Sequence, residues 1–216
     1  MRFVTMEYAS AGAVKTTDDP VRGVQLDEAD GSHCRQCAAG DGDGCTRLFK
    51  RHEPKIARQM WRFSRDRAVH AELVQEVFVQ AYLSLHRYRP TSAPFEHWLA
   101  RIATRVGYRF WKHQARRKRT ESLHGLTLAA PASAAGDAEE AAQTLHDLLA
   151  QLPAADRLVL TLMYFDECNI SEIAGRTGWN QAMTKMRLYR ARRRLRRIIE
   201  QKNLTEFLLG ASHGSA

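Results

Sequence analysis

The stretch Asn169–Arg197, NISEIAGRTGWNQAMTKMRLYRARRRLRR, predicts a short helix, a tight turn and a longer helix that runs into a dense series of arginines. Asn169 can cap the first helix, and Glu172 can complete a capping box. Gly178 permits the left-handed backbone conformation that ends a helix, and Asn180 is a good cap for the next one. This order of signals is typical of a helix-turn-helix.

The second of these helices has two different faces. A stripe that recurs at steps of four, three and four is predicted to be buried, and it contains Thr184, Leu188, Ala191 and Leu195. The side chains that point away from the stripe are mostly basic or polar, and they include Lys185, Met186, Tyr189, Arg190 and Arg193. A packed back and a basic front are typical of a DNA-reading helix. A helical hairpin with a solvated charged face is the alternative.

The overall composition favours a polyanionic partner. The 216 residues carry a formal net charge of +9, and 44% of them are hydrophobic, enough to build real cores. An acidic membrane surface is a weaker explanation, because the basic residues form two separate helical tracks. We find no apolar run long enough to span a membrane and no signal peptide, so we expect a cytoplasmic protein without direct membrane insertion.

The N-terminal half is predicted to be a flexible leader followed by helices. Residues 1–32 show no sustained periodicity, and helical spacing begins near Cys45. Pro54 is expected to kink or divide that first helical run. The next segment, Ala71–His86, is strongly amphipathic, and its predicted apolar face contains Leu73, Val74, Val77, Phe78, Ala81, Tyr82 and Leu85. The opposite face is acidic and amidic; it is either simply solvated or a docking surface for a basic protein.

Aromatic and basic residues then alternate across a loop and a helix. Tyr88–Pro94 is predicted to be a loop, and Phe95–Trp111 a helix followed by further cations. Rings beside cations suit single-stranded nucleic acid, because bases stack on the rings while the cations track phosphates. For Phe95 and Trp98, plain core packing is the alternative.

The C-terminal half begins after a linker. Thr120–Asp137 loses periodicity and is rich in Ala, Ser, Gly and Pro. Helical patterns return from about Ala138, and no strand-like alternation persists anywhere in the chain. We therefore predict an all-α protein with two helical domains and a polar tail from about Asn203.

The order of these parts resembles an alternative sigma factor of bacterial RNA polymerase, of the extracytoplasmic-function class. The most specific segments are ELVQEVFVQAY (Glu72–Tyr82), FEHWLARIA (Phe95–Ala103), LPAADRLVLTLMYFDECNISEIAGRTG (Leu152–Gly178) and TKMRLYRARRRL (Thr184–Leu195). The resemblance implies a leader (1–32), a region 2-like domain (33–119), a linker (120–137), a region 4-like helix-turn-helix domain (138–202) and a tail (203–216).

The resemblance also implies partners and site residues. The surface for the clamp helices of the polymerase's largest subunit would be Glu72, Gln75 and Glu76. The unpaired −10 promoter strand would be held by Arg89, Phe95, Trp98, Arg101, Arg105, Arg109, Lys112, Arg116 and Arg117. The duplex −35 element would be read by Asn180, Gln181, Lys185, Met186, Arg187, Tyr189, Arg190 and Arg193, on a domain that also approaches the polymerase flap. An anti-sigma factor is a further implied partner.

The sequence departs from the family pattern in two segments, and there the DNA contacts of the family are not transferred to this chain. Arg105 and Arg109 stand where the family often has Asn and Asp, which makes this segment more basic and puts base contacts there in doubt. Gln181, Met183, Thr184 and Met186 replace commoner residues in the reading helix, so promoter preference is not transferred.

The expected function is therefore promoter-specific transcription initiation with core RNA polymerase. The alternative is a stand-alone helix-turn-helix regulator that binds duplex operator DNA. We expect no enzymatic activity and no cofactor, because the chain shows neither a glycine-rich phosphate loop nor a convergent acid, base and nucleophile.

Four cysteines leave one question open. His33, Cys34, Cys37 and Cys45 are enough for a tetrahedral zinc site, or for redox sensing, but adjacent His33 and Cys34 are an awkward start for a closed chelate. We expect no metal there and regard the cysteines as incidental. Cys168, in the turn before the helix-turn-helix, is expected to be inert.

Overall fold

The computed structural model describes residues 28–89, 93–123 and 137–202, and every regular element within these ranges is a helix. The prediction of an all-helical protein is confirmed. The helices are α1 (Glu28–Ala38), α2 (Gly42–Met60), α3 (Arg67–Ser84), α4 (Phe95–Leu123), α5 (Asp137–Ala150), α6 (Ala154–Tyr164), α7 (Ile170–Thr177) and α8 (Gln181–Gln201), with a 3-10 turn at Leu85–Arg87. The predicted tail, and most of the predicted leader and linker, lie outside the described residues.

Helices α1 to α4 form the N-terminal unit, which packs around one hydrophobic core. Leu48, Met60, Val77 and Leu99 from three of these helices are almost completely buried in it. Gly107 on α4 is required for this packing. A Cβ atom at Gly107 would lie 2.3 Å from the ring of Phe63, so a larger residue would push α2 and α4 apart.

Several boundaries differ from those predicted. Helix α1 begins at Glu28, inside the segment predicted as a leader, and α4 continues to Leu123, beyond the predicted start of the linker. The prediction that Pro54 divides the first helical run is wrong, because α2 continues through it. Pro54 is exposed, so the carbonyl group that loses its helical partner there can be hydrated instead.

Helices α5 to α8 form the C-terminal unit. Residues 156–162 of α6 are all buried, which makes α6 the centre of this unit, and α8 packs along it. Asp156 on α6 is among these buried residues, and its carboxylate is paired with Arg194 of α8. This pairing satisfies a charge that burial would otherwise penalise.

The two units are in contact through α4, which packs against α6 and α7. The Arg157 guanidinium of α6 lies 4.0 Å from the centre of the Trp111 ring, and the Tyr108 and Trp179 rings meet edge to face at 6.1 Å. The indole nitrogen of Trp111 donates to the carbonyl oxygen of Phe63 at 2.9 Å, which fixes that ring between the units.

A shared carboxylate adds a further link. Asp166, whose side chain is 8% exposed, is paired with Arg62, just after α2, and with Arg176 of α7. One carboxylate therefore holds a cation from each unit.

Within the three described ranges, no helix is both long enough and apolar enough to cross a bilayer.

Candidate nucleic-acid and protein interfaces

The helix-turn-helix has the local geometry that the sequence predicts. Asn169 and Glu172 form a reciprocal capping box at the start of α7, with hydrogen bonds of 2.9 and 2.7 Å. Gly178 ends α7 in the left-handed conformation, with φ of 79°. The Asn180 side chain then accepts a hydrogen bond from the Met183 amide and caps α8.

The two faces of α8 are separated as predicted. Thr184, Leu188 and Ala191 are buried, whereas Leu195 is only partly buried. Thr184 is polar but fully buried, and its hydroxyl group donates to the carbonyl oxygen of Asn180 at 3.0 Å. This bond explains how a polar side chain is accommodated in the buried stripe.

The front of α8 is exposed and rich in cations. Tyr189 is 62% exposed and Met186 52%, and the exposed polar side chains beside them are Gln181, Lys185, Arg190 and Arg193. Three of the predicted −35 residues have structural partners. The Gln181 side-chain amide donates to the Ser171 hydroxyl group at 3.4 Å. The Asn180 oxygen is engaged in the cap, and the Arg187 guanidinium stacks 4.6 Å above the Trp179 ring and is only half-exposed. Arg187 is therefore less available to DNA than its neighbours on α8.

The basic face of α4 is also exposed. It carries Arg101, Arg105, Arg109, Lys112, Arg116 and Arg117, all on the part of α4 that faces solvent. The C-terminal unit covers a different side of α4, at Tyr108 and Trp111. Because exposed guanidinium and ammonium groups at helical spacing suit phosphate contacts, this surface can track a nucleic-acid backbone.

An aromatic cluster of Tyr88, Phe95 and Trp98 packs at the start of α4. Phe95 is 1% exposed and contacts the Tyr88 ring at 5.4 Å, while Trp98 lies at the rim of the same cluster. The Tyr88 hydroxyl donates to the carbonyl oxygen of Ala93 at 3.0 Å, and burial, with smaller effects from Cys34 and Asp30, raises the pKa of Tyr88 to about 12. Tyr88 therefore remains a neutral donor.

The prediction that the Phe95 ring contacts a base does not fit this structure. The ring is enclosed by its aromatic neighbours, so Phe95 packs the start of α4 against Tyr88. Trp98 remains accessible at the rim. Arg89 is exposed but donates to the carbonyl oxygens of His86 and Tyr88, and residues 90–92 lie outside the described ranges.

The acidic and amidic face of α3 is exposed in part. Glu72 and Gln75 are exposed, whereas Glu76 is half-buried and pairs with Arg109 of α4 at 3.2 Å. The family resemblance implies that Glu76 and Arg109 belong to two different surfaces, and the structure brings them together. Tyr82 was expected on the apolar face but is 55% exposed, because it lies to one side of the buried line formed by Leu73, Val77, Ala81 and Leu85.

The cysteine cluster contains a disulfide bond. Cys37 and Cys45 are joined, and Cys34 and Cys168 are free and buried. Burial raises the pKa of Cys34 to about 12, with a smaller upward effect from Asp30, so its thiol is protonated and a poor ligand at neutral pH. Among the described residues, no group of three or more His, Cys, Asp or Glu side chains could hold a metal ion.

The contacts between the two units were not anticipated from sequence. The Arg157–Trp111, Tyr108–Trp179 and Arg62–Asp166 pairs join residues far apart in the chain. The sequence signal for these contacts is limited to the large aromatic side chains of Trp111 and Trp179, which favour packing. That signal does not identify the residues against which they pack.

Comparison with known proteins gives the same order of parts. The family models described as Sigma-70 region 2 and Sigma-70, region 4 match residues 48–117 and 142–195. The chain is 28% identical to the RNA polymerase sigma factor CarQ of Myxococcus xanthus over 167 residues, which cover 76% of this chain and 94% of CarQ. It is 24% identical to the ECF RNA polymerase sigma factor SigM of Bacillus subtilis, over 70% of this chain and 92% of SigM.

A solved structure has the same fold at low sequence identity. The sigma factor RpoE of Bartonella quintana, crystallised with the anti-sigma factor NepR, superposes with a TM-score of 0.53 at 19% identity, over 72% of this chain and 96% of that one. The matched regions coincide with the N-terminal unit, which carries the basic face of α4, and with the C-terminal unit, which carries the helix-turn-helix. This chain belongs to the sigma-70 family, in its extracytoplasmic-function class of RNA polymerase sigma factors.

Proposed function

We propose that this alternative sigma factor binds core RNA polymerase through α3 and contacts promoter DNA through two surfaces, on α4 and on α8. The observation that carries the proposal is the presence of two exposed basic helix faces on two units that match regions 2 and 4 of the family. Members of this family are transcription initiation factors and not enzymes, so the chemistry belongs to the polymerase.

The −35 duplex is assigned to α8. Its exposed front combines cations for phosphates with Gln181, Met186 and Tyr189, which can reach base edges in a major groove. Lys185, Arg190 and Arg193 then supply affinity, while the polar and apolar side chains supply the choice of sequence. The capped turn before α8 sets the angle at which this front is presented.

The unpaired −10 strand is assigned to the loop around residues 89–94 and to the basic face of α4. Trp98 offers a ring at the rim of the aromatic cluster, and the cations from Arg101 to Arg117 can follow the phosphates. Phe95 takes a supporting role in this assignment, because its buried ring holds the start of α4 against Tyr88.

The polymerase is assigned to the exposed face of α3. Glu72 and Gln75 are exposed there, and the apolar side chains Val79, Tyr82 and Leu83 continue this surface, at 44%, 55% and 61% exposure. A rim of acidic and amide groups beside exposed apolar side chains suits a protein partner. An anti-sigma factor, such as the one bound to the RpoE structure, is the second protein partner that we assign. Both interactions place the protein in the cytoplasm.

A competition assay for core polymerase tests the α3 assignment. Glu72→Lys reverses an exposed charge, so it should weaken competition against a labelled housekeeping sigma factor about tenfold without altering the fold. Glu72 is preferred to Glu76, whose replacement also breaks the pair with Arg109. Glu200→Lys, an equal charge change on the exposed end of α8, serves as the control and should compete normally. Equal competition by both variants would exclude this face of α3.

A further inference from the structure

A cavity of about 250 Å³ lies where the end of α2 faces α5 and α6. One wall belongs to the N-terminal unit and contains Arg58, Trp61 and Arg65. The other wall belongs to the C-terminal unit and contains His146, Arg157 and Phe165. The cavity shares no residue with the surfaces assigned to DNA or to polymerase, so its properties need a separate explanation.

The walls are cationic. The described residues that line the cavity include four arginines and no acidic residue. Arg62 is neutralised by Asp166, which it shares with Arg176. Arg58 and Arg65 are exposed, and no carboxylate of the described residues forms an ion pair with either of them. The cavity therefore holds an excess of positive charge that the neighbouring protein does not balance.

Arg157 is the buried part of this charge. It is 6% exposed, and its Nε atom is buried without a hydrogen-bond partner. Its Nη2 atom lies 3.1 Å from the His146 ring, and its guanidinium stacks on Trp111. Burial lowers the pKa of Arg157 to about 10, against a small opposing effect from Asp147. A buried cation without a carboxylate partner is costly, and an anion in the cavity would offset that cost.

The remaining walls suit a flat apolar group. The Trp61 ring is stacked on His70 at 4.3 Å, which holds it in place, and Phe165 is 39% exposed beside Leu145 and Leu149. The cavity volume of about 250 Å³ lies just below the usual range for ligand sites, roughly 300–1,000 Å³, so the cavity accommodates at most one small ring system with a single anionic group. Several guanidinium groups around one space favour phosphate, because Arg can donate two parallel hydrogen bonds to it.

We propose that this cavity binds a small aromatic phosphate ester, with the phosphate among Arg58, Arg65 and Arg157 and the ring between Trp61 and Phe165. Because the two walls belong to different units, the bound ligand also holds the units together. The cavity shares no residue with the DNA and polymerase surfaces, so ligand binding there can be tested independently of the proposed function.

Calorimetric titration of the full chain, without DNA, tests the proposal with 1-naphthyl phosphate as the probe. Saturable binding with one site per chain is expected, and inorganic phosphate and 1-naphthol should each bind at least about tenfold more weakly, because each supplies one half of the contacts. No saturable binding, or equal binding of inorganic phosphate, would overturn the proposal.

Substitutions at two exposed arginines that line the cavity test where the ligand binds without disturbing the hydrophobic core. Arg65→Glu and Arg58→Glu should each weaken the binding of 1-naphthyl phosphate about tenfold. Lys50→Glu makes the same charge change at an exposed position on α2 outside the cavity, and it should change binding less than about twofold. An equal loss in all three variants would show attraction to net charge alone and would contradict the site.

Discussion

Glu96 shows how one side chain joins two helices of the N-terminal unit. Its carboxylate, in the first turn of α4, is paired with Lys55 of α2. Burial alone would raise the pKa of Glu96, but the hydrogen bond and charge of Lys55, with smaller effects from His97 and His52, together outweigh burial and hold the pKa below its ordinary value. The ionised carboxylate is therefore more stable in the folded protein than in the unfolded chain.

Glu96→Gln should lower the free energy of unfolding near neutral pH by less than about 1 kcal/mol, because both partners are largely exposed. The carboxylate stabilises the fold above its unfolded pKa, and this contribution is lost as pH falls through the lowered folded pKa. The difference between the two proteins should therefore decrease once the pH falls below the unfolded pKa of glutamate, about 4.3, and disappear only below the lowered folded pKa. Urea denaturation from pH 3 to 7 measures this difference. In a Lys55→Met background the pH-dependent difference should shrink or change sign, because the burial that raises the pKa of Glu96 then lacks its main opposing effect.

At the level of single residues, the sequence predicts local bonds better than burial. The capping partners Asn169 and Glu172 are three residues apart, so their interaction follows from helix geometry alone. Whether the Phe95 ring faces a base or the core depends on Tyr88 and on the end of α3, which bring a second aromatic ring over it. Periodicity places Phe95 on an apolar face but does not show how completely that face is covered.

The capping box is the element-scale feature that positions the recognition helix. Asn169→Ala leaves the Glu172 amide at the start of α7 without its side-chain acceptor, so it should lower the free energy of unfolding by about 1 kcal/mol. Gln114→Ala, at an exposed position within α4, is the control and should change stability by less than about 0.5 kcal/mol. Urea denaturation at neutral pH distinguishes them, and an unchanged midpoint for Asn169→Ala would show that the box does not stabilise α7.

Elements were predictable where the apolar spacing was long and regular. The centres of α3, α4 and α8 follow from steps of three and four, whereas the ends of helices depend on weaker signals. Pro54 illustrates the limit, since a proline on an exposed helix face can be accommodated, and the sequence alone does not show which face is exposed. The 11-residue helix α1 was missed because its apolar residues are few and it is stabilised by packing on α2.

At the scale of the whole molecule, the two units are joined by a few specific contacts on one side of α4. The Asp166 carboxylate binds one arginine from each unit, and Trp111 bridges Phe63 and Arg157. The basic face of α4 and the front of α8 both remain exposed in this arrangement. The order of the units could be predicted from motifs, but their contacts could not, because each depends on side chains that lie far apart in the chain.

The most direct test of the central claim is transcription by core RNA polymerase that lacks any sigma factor. The purified protein is added to that polymerase together with genomic DNA fragments from an organism that encodes it. Transcripts should then start at a small set of discrete sites. These start sites should share −10 and −35 sequences, and Lys185→Ala should reduce transcript yield from them. Absence of discrete start sites, together with binding of the chain to duplex DNA in the absence of polymerase, would contradict the account and identify a stand-alone regulator.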